Sequence, residues 1–131
     1  MSEIPEDLKY TQDHEWLRIE EDGSVTVGIT DHAQEALGEL VFVELPDDGQ
    51  NCNKGDAIAV VESVKAASDV YSPITGTVSD TNPDLADEPE KVNSSPYEGG
   101  WLFRVAPENE DELEGLMDTV AYEEFLAGLE D

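Results

Sequence analysis

The residue best placed to do chemistry in this sequence is a lysine between two short apolar runs. Lys65 follows the β-branched run 57–61 and precedes Val70-Tyr71, and residues 73–76 (Pro-Ile-Thr-Gly) are typical of a turn. We therefore expect Lys65 at or near the tip of a β-hairpin. Residues 66–68 are small (Ala-Ala-Ser), so a modifying enzyme could approach the amine closely. The pattern predicts a covalent attachment site. The alternative is an ordinary solvated lysine, because so short a pattern is weak evidence.

Other kinds of chemical site have little support. Cys52 is the only cysteine, which excludes an intrachain disulfide framework and a cysteine metal cluster. His14 and His32 lie in separate predicted elements without a metal-binding spacing, so no metal site is expected. No phosphate-binding glycine loop, nucleophile elbow or zinc-helix motif occurs. With 33 acidic residues, almost any pair of carboxylates can be nominated for acid–base work. Nothing here argues for an enzyme.

The charge balance excludes several classes of partner. The chain has 33 acidic and 6 basic residues, for a formal net charge of −27. Such a surface repels phosphate backbones and anionic lipids, so neither nucleic acid nor membrane is expected as a partner. A dispersed acidic coat is typical of halophilic proteins, in which salt at 1 M screens repulsion over ~3 Å. We expect a halophilic source and a fold that is unstable in fresh water.

Length and the amino terminus indicate one cytoplasmic domain. A chain of 131 residues is large enough for one hydrophobic core but not for two. Residues 1–8 look like a loosely ordered acidic terminus without the basic and apolar segments of a signal peptide. No run approaches the roughly 18 apolar residues of a membrane span. We therefore expect a single domain over residues 1–131, located in the cytoplasm.

The elements that must position Lys65 are mostly short strands. The Asp-Gly pair within residues 21–24 predicts a hairpin between runs 16–20 and 25–29. Asp31 as N-cap, Gln34 in a capping box and Gly38 as a left-handed stop predict a short internal helix. Further strands are expected at 41–45, 77–79 and 101–105, with a long connection over 82–100.

The last part of the chain is predicted to be helical. Asn109 and Glu112 form a capping-box pair that opens the segment 109–131. The apolar stripe changes phase near residues 118–119, which predicts two short helices instead of one long helix. Together, the elements predict a mainly β sandwich or barrel with a short internal helix and carboxyl-terminal helices.

Five blocks of sequence resemble one known family. They are residues 10–16, 28–38, 41–46, 61–73 and 92–101. In this order, and over nearly the whole chain, they closely resemble the H protein of the glycine cleavage system. The resemblance implies a lipoyl-domain-like sandwich of two small antiparallel sheets, a barrel-sandwich hybrid. It also implies that Lys65 carries lipoic acid in amide linkage, in a context formed by its neighbours Glu62, Ser63, Val64 and Ala66.

The resemblance further implies a non-catalytic carrier with several enzyme partners. In the family, glycine decarboxylase (P protein) loads an aminomethyl group on the swinging arm. The aminomethyltransferase (T protein) passes the one-carbon unit to tetrahydrofolate, and dihydrolipoamide dehydrogenase (L protein) reoxidises the dithiol. A lipoate ligase or lipoyl transferase attaches the arm. A loaded arm should shelter in a cleft that excludes water, beside acids that hold its cationic amine. Glu15, Asp13 and Asp69 are the candidates.

Two alternatives stay open at this point. One is a lipoyl or biotinyl carrier domain from another multienzyme complex. Biotin carriers typically place Met on both sides of the lysine, whereas Val64 and Ala66 stand here. The other alternative is an interaction protein without a cofactor, in which Lys65 is merely solvated.

Overall fold

The chain forms two antiparallel sheets that share one hydrophobic core. The computed structural model describes residues 8–108 and 111–130, without the side chains of residues 129 and 130. Its strands are β1 (Lys9–Tyr10), β2 (Glu15–Ile19), β3 (Val25–Ile29), β4 (Leu40–Glu44), β5 (Asn51–Cys52), β6 (Ala57–Ser63), β7 (Ala67–Tyr71), β8 (Gly76–Thr81) and β9 (Phe103–Pro107). Its helices are α1 (Asp31–Leu37), α2 (Asp84–Asp87), α3 (Lys91–Ser94), α4 (Asp111–Glu114) and α5 (Thr119–Glu130). The predicted mainly β fold with an internal helix and carboxyl-terminal helices is confirmed.

Six strands form the larger sheet, in the order β1-β2-β3-β9-β8-β5, and three form the smaller, in the order β4-β6-β7. The core between them contains Val27 and Val105 from the larger sheet and Val61 and Val70 from the smaller. Because β7 is an edge strand, one side of its backbone has no strand partner in this sheet. That free edge becomes part of the site described below.

The first hairpin forms where the Asp-Gly pair predicts it. β2 pairs with β3, and Gly23 adopts a positive φ of 91° in the turn between them. The Asp22 carboxylate accepts hydrogen bonds from the backbone and hydroxyl of Ser24, which fixes the turn. In β3, a Cβ atom on Gly28 would lie 2.7 Å from the Trp16 ring. Only glycine therefore lets these two strands pack this closely.

The N-cap of α1 differs from the prediction. Thr30, not Asp31, precedes the helix with extended backbone, and its hydroxyl accepts a hydrogen bond from Ala33 N. Tyr122 fixes the same hydroxyl at 2.8 Å, a tertiary contact that the local sequence does not reveal. Gln34 is then one position too late for a capping box, so that prediction is wrong. The predicted stop at Gly38 is confirmed, with φ of 87°.

The long connection over residues 82–100 packs on itself around two one-turn helices, α2 and α3. Leu85 and Val92, one from each helix, are buried in the main core. The following strand begins at Phe103, so the predicted start at residue 101 is wrong. Trp101 lies before the strand, where the Arg104 guanidinium stacks 4.8 Å from its ring centroid.

The carboxyl-terminal helices are separate, as the shift in hydrophobic phase predicts. α4 ends at Glu114 and α5 begins at Thr119. α5 closes a second apolar cluster, in which Tyr122 stacks on Tyr10 with ring centroids 4.6 Å apart. Leu8 is buried in the same cluster, whereas the rest of the predicted acidic terminus, residues 1–7, lies outside the described residues. Among the described residues, no helix combines the length and apolar character needed to cross a bilayer.

Glu112 ties α4 to the turn between β7 and β8. Its carboxylate accepts hydrogen bonds from Thr75 N at 2.7 Å and Thr75 Oγ1 at 3.0 Å. Its predicted capping partner, Asn109, lies outside the described residues. We expect Glu112→Ala to lower the free energy of unfolding by about 1–3 kcal/mol, because the Thr75 N–H loses its acceptor. Glu112→Gln, which keeps one acceptor, should lose less. Urea unfolding at fixed salt measures the free energy of unfolding of both variants. An alanine variant as stable as the wild type would show that the hydrogen bonds from Thr75 to Glu112 do not stabilise the fold.

Candidate functional site

Lys65 lies at the exposed tip of the β6–β7 hairpin, as predicted. The tip consists of residues 64–66, between paired Glu62 and Ala67. The Ser63 hydroxyl accepts hydrogen bonds from the backbone N–H groups of Lys65 (3.3 Å) and Ala66 (3.1 Å). Ser63 N also donates to Ala66 O at 2.7 Å. The backbone of the tip is therefore held by one serine, while the lysine side chain stays accessible.

The corner between α1 and β4 supports the lysine stem. A Cβ atom on Gly38 would lie 3.3 Å from Lys65 Cε, so glycine leaves room for the stem as well as ending the helix. Asn93 fixes this corner: its Oδ1 accepts from Leu40 N, and its Nδ2 donates to Gly38 O and to Gln34 Oε1. Sequence reasoning missed both contacts. The only available signal was that Asn93 falls within a block, residues 92–101, that resembles the family.

A pocket of about 330 Å³ opens at the other end of β7. Residues 11–13, 71–73 and 115–117 form most of its lining. Glu15, only 1% exposed, faces this pocket. Its Oε2 accepts from Tyr71 N at 2.6 Å and its Oε1 from Thr11 Oγ1 at 3.2 Å. Because Tyr71 ends an edge strand, Glu15 accepts from a backbone N–H that has no strand partner.

Burial dominates the electrostatics of Glu15. It raises the pKa of this carboxyl to about 8, with a smaller upward contribution from the charge of Asp13 and a downward one from the Tyr71 hydrogen bond. Glu15 is thus largely uncharged at neutral pH. Asp13 is exposed and lines the same pocket, so the structure brings these two candidates together. Asp69 lines a separate pocket with Glu44 and is not brought to them.

The two histidines meet although they lie in separate elements. Their ring centroids are 4.6 Å apart, and His14 Nδ1 lies 2.9 Å from the Tyr122 hydroxyl. Burial and the neighbouring His32 lower the pKa of His14. Within the described part of the chain, no three His, Cys, Asp or Glu side chains are grouped so that they could hold a metal ion. His14 therefore joins the β1–β2 turn to Tyr122 of α5, and its ring also contacts His32 of α1.

The fold and the tip define a class of protein: a β-sandwich carrier that presents one lysine at a hairpin turn. The family model for the glycine cleavage H-protein matches residues 8–128. The chain belongs to this family, whose members are the lipoyl carriers of the glycine cleavage system and interact with its other components. The family assignment decides against a carrier domain from another multienzyme complex.

Relatives cover the chain almost completely. The glycine cleavage system H protein of Halorhodospira halophila is 60% identical over 127 residues, covering 97% of this chain and 98% of the relative. The corresponding protein of Psychrobacter sp. is 57% identical over 126 residues, covering 96% and 100%. The crystal structure of a glycine cleavage system H protein from Mycobacterium marinum aligns with a TM-score of 0.85 at 38% identity, covering 98% of this chain and all of that one. The lipoyl-domain-like sandwich expected from the resemblance is therefore confirmed.

Proposed function

We propose that Lys65 carries lipoic acid in amide linkage and that the protein acts as a non-catalytic shuttle between enzymes. The observation that carries this proposal is the exposed Lys65 at a fixed hairpin tip, in a chain of the glycine cleavage H-protein family. When bound, the lipoyl group supplies a dithiolane that accepts an aminomethyl group and electrons. The protein presents this group to the enzymes.

The residues around the tip fit such a group. Lys65 is exposed, its stem lies against Gly38, and residues 66–68 add no bulky side chain beside the amine. The turn held by Ser63 keeps the attachment point in one place while the side chain remains exposed. These features favour recognition by an attaching enzyme, with Glu62, Ser63, Val64 and Ala66 as its context.

Glu15 and Asp13 are proposed to hold the cationic amine of a loaded arm. Both line the pocket at the end of β7, the strand that begins two residues after Lys65. A positive charge entering this pocket favours the ionised form of Glu15, whose pKa burial has raised to about 8. A pocket that limits access of bulk water also protects a labile adduct from hydrolysis. Asp69 lines the separate pocket and lies nearer the tip along β7. It is proposed to contact the arm between Lys65 and the pocket that Glu15 faces.

The proposed partners follow the family. The shuttle takes an aminomethyl group from glycine decarboxylase to the tetrahydrofolate-dependent aminomethyltransferase, and reducing equivalents to dihydrolipoamide dehydrogenase. A lipoate ligase or lipoyl transferase would modify Lys65. The strongly acidic surface supports docking by short-range contacts instead of long-range steering where salt is high. The cytoplasmic location and the halophilic source stay predictions.

The test is the intact mass of the protein purified from its native host, beside a Lys65→Ala variant. We expect one lipoyl-sized increment in the wild type and none in the variant. An unmodified wild-type mass, with lipoate and its attaching enzyme shown to be present, would refute the carrier proposal. It would favour the interaction protein without a cofactor.

A further inference from the structure

The turn between β1 and β2 contains a residue with unusual backbone geometry. Among the residues that the structure describes, His14 is the one residue other than glycine with a positive φ, 65°. In this left-handed region the Cβ atom crowds a carbonyl oxygen, so few residues other than glycine adopt it. Such a conformation persists only where its surroundings hold it, and it is found preferentially at functional sites. The contacts of His14 and the position of its turn therefore bear on function.

Two helices hold the backbone of His14. Thr30, the N-cap of α1, donates its N–H to His14 O at 2.9 Å. The Tyr122 hydroxyl of α5 lies 2.9 Å from His14 Nδ1 and 2.8 Å from Thr30 Oγ1. Tyr122 is completely buried and its ring stacks on Tyr10, so the position of its hydroxyl is fixed. One hydroxyl thus joins α5, α1 and the turn.

The same turn carries polar side chains of the pocket that Glu15 faces. Thr11 O accepts from His14 N at 3.2 Å, which closes the turn. Thr11 Oγ1 accepts from the N–H groups of Asp13 and Glu15, each at 3.2 Å. Thr11, Asp13 and Glu15 all line the pocket. Because His14 stands between Asp13 and Glu15 in the chain, its φ sets how the two carboxyl groups are oriented relative to each other.

The charges in this pocket make the placement of Asp13 important. The titratable side chains of the lining are Asp13, Glu15, Lys54 and the phenols of Tyr10 and Tyr71. Burial raises the pKa of Glu15 to about 8, so an entering ammonium depends on the carboxylate of Asp13 near neutral pH. If Asp13 turned away, the ammonium would lie in a pocket with Lys54, whose like charge repels it.

We propose that His14 is a positioning residue for the pocket that receives the loaded arm, and that Tyr122 holds it in place; this inference rests on the proposed function. His14 is not among the residues that line the pocket, so it acts through its neighbours. Its left-handed backbone keeps Asp13 on the pocket beside Glu15. Helix α5 thereby contributes to retention of the arm, although none of its described side chains lines the pocket.

Hydrolysis of the loaded arm reports how well the pocket holds it. Water attacks the methylene carbon of the aminomethyl group, the bonds from this carbon to sulfur and to nitrogen break, and formaldehyde, a thiol and ammonium form. Water supplies the oxygen of formaldehyde, one proton to the thiol and one to the ammonium, so no oxidant or reductant takes part. An arm held where access of bulk water is limited loses its aminomethyl group slowly.

The test compares carriers that have been lipoylated, loaded and separated from the decarboxylase, in one molar-salt buffer. Tyr122→Phe removes only the hydroxyl and keeps the ring. His14→Ala disfavours the left-handed backbone, whereas asparagine in His14→Asn adopts it more readily. The matched control is Tyr97→Phe, which removes another hydroxyl that binds the start of α1, where it accepts from Asp31 N at 2.9 Å.

Mass spectrometry follows the loss of the aminomethyl group from each carrier. We expect about fivefold faster loss from Tyr122→Phe and His14→Ala than from the wild type, and loss within about twofold of the wild type from Tyr97→Phe. Loss from His14→Asn should be slower than loss from His14→Ala. Because timing starts after loading, the rate does not depend on how fast the decarboxylase loads each variant.

A second readout uses the unmodified protein and needs no lipoyl group. The Tyr71 amide donates to Glu15 and therefore reports the position of this carboxyl in an NMR spectrum. We expect its resonance to shift in Tyr122→Phe and His14→Ala and to stay in place in Tyr97→Phe. Thermal unfolding verifies that each variant is folded at the temperature of both measurements.

Other outcomes overturn the inference in recognisable ways. Wild-type rates of loss and an unmoved Tyr71 resonance in every variant would show that the pocket does not depend on His14, while leaving the carrier function intact. Equal effects of Tyr97→Phe and Tyr122→Phe would assign them to a general loss of stability. Equal loss from His14→Asn and His14→Ala would refute the role of the left-handed backbone. A wild-type protein that carries no lipoyl group, with its attaching enzyme present, would refute the proposed function and the inference together.

Discussion

The Lys65→Arg variant is expected to support no glycine-dependent release of CO2 above the background measured without carrier. Arginine keeps the positive charge and much of the length of lysine, and the exposed tip can accommodate it without repacking. A guanidinium does not form the amide that the proposed carrier needs. The variant should therefore fold like the wild type and lose the whole activity. The assay is carbon dioxide exchange with purified decarboxylase after incubation with the attaching enzyme, lipoate and ATP.

A matched control separates the loss of one lysine from a general effect of substitution. Lys9→Arg changes a half-buried lysine in β1, in the other sheet, and should keep full activity. Thermal unfolding of both variants should agree with that of the wild type. Exchange by Lys65→Arg at the wild-type rate would show that attachment occurs elsewhere or is not required.

Local signals in the sequence predicted the parts of the fold that local physics decides. The Asp-Gly turn, the glycine stop at Gly38 and the hairpin tip at Lys65 each depend on a few adjacent residues. The two-residue strands β1 and β5 were not predicted, because so short a segment is a strand only through its partner. The N-cap at Thr30 was also missed, since its tyrosine partner is 92 residues away.

The candidate site was predictable to a similar degree. The resemblance nominated Glu15, but its contact with Tyr71 N joins β2 of the larger sheet to the edge strand β7 of the smaller sheet and has no local signature. The register shift of β4 against β6, between Leu40 and Phe42, has none either, because an unbroken apolar run such as Val-Phe-Val does not show which side chains face the core. Asn93 supports the corner under Lys65 from a connection that the sequence showed only to be long and polar. Tertiary geometry alone determines these features.

Glu15 is expected to dominate one part of the pH dependence of stability. The pKa of its carboxyl is about 8 in the folded protein, against an ordinary value of 4.5. Between these pH values the folded state holds a proton that the unfolded chain has released. The contribution of Glu15 to the free energy of unfolding is therefore fully present below pH 4.5 and is lost as the pH rises through about 8. At about 1.4 kcal/mol per pH unit, the loss is roughly 3–5 kcal/mol.

The variant Glu15→Gln isolates this loss from the titration of the other acids. Its amide oxygen can accept from Tyr71 N and its amide nitrogen can donate to Thr11 Oγ1, so the contacts survive without a titrating proton. Relative to the variant, the wild type should lose about 3–5 kcal/mol between pH 5 and pH 9 in urea unfolding at constant molar salt. Glu98→Gln, at an exposed position, should follow the wild type across the same range.

The same measurement bears on how the pocket holds a cation. If wild type and Glu15→Gln keep a constant difference in unfolding free energy across this range, the carboxyl does not take up a proton on folding. Glu15 would then be a fixed negative charge, and an entering amine would meet an ionised partner. If the difference falls as expected, the Glu15 carboxyl is uncharged in the empty pocket, and binding of a cationic amine must release its proton near neutral pH. Retention of the loaded arm should then strengthen as the pH rises towards 8, while the fold itself becomes less stable.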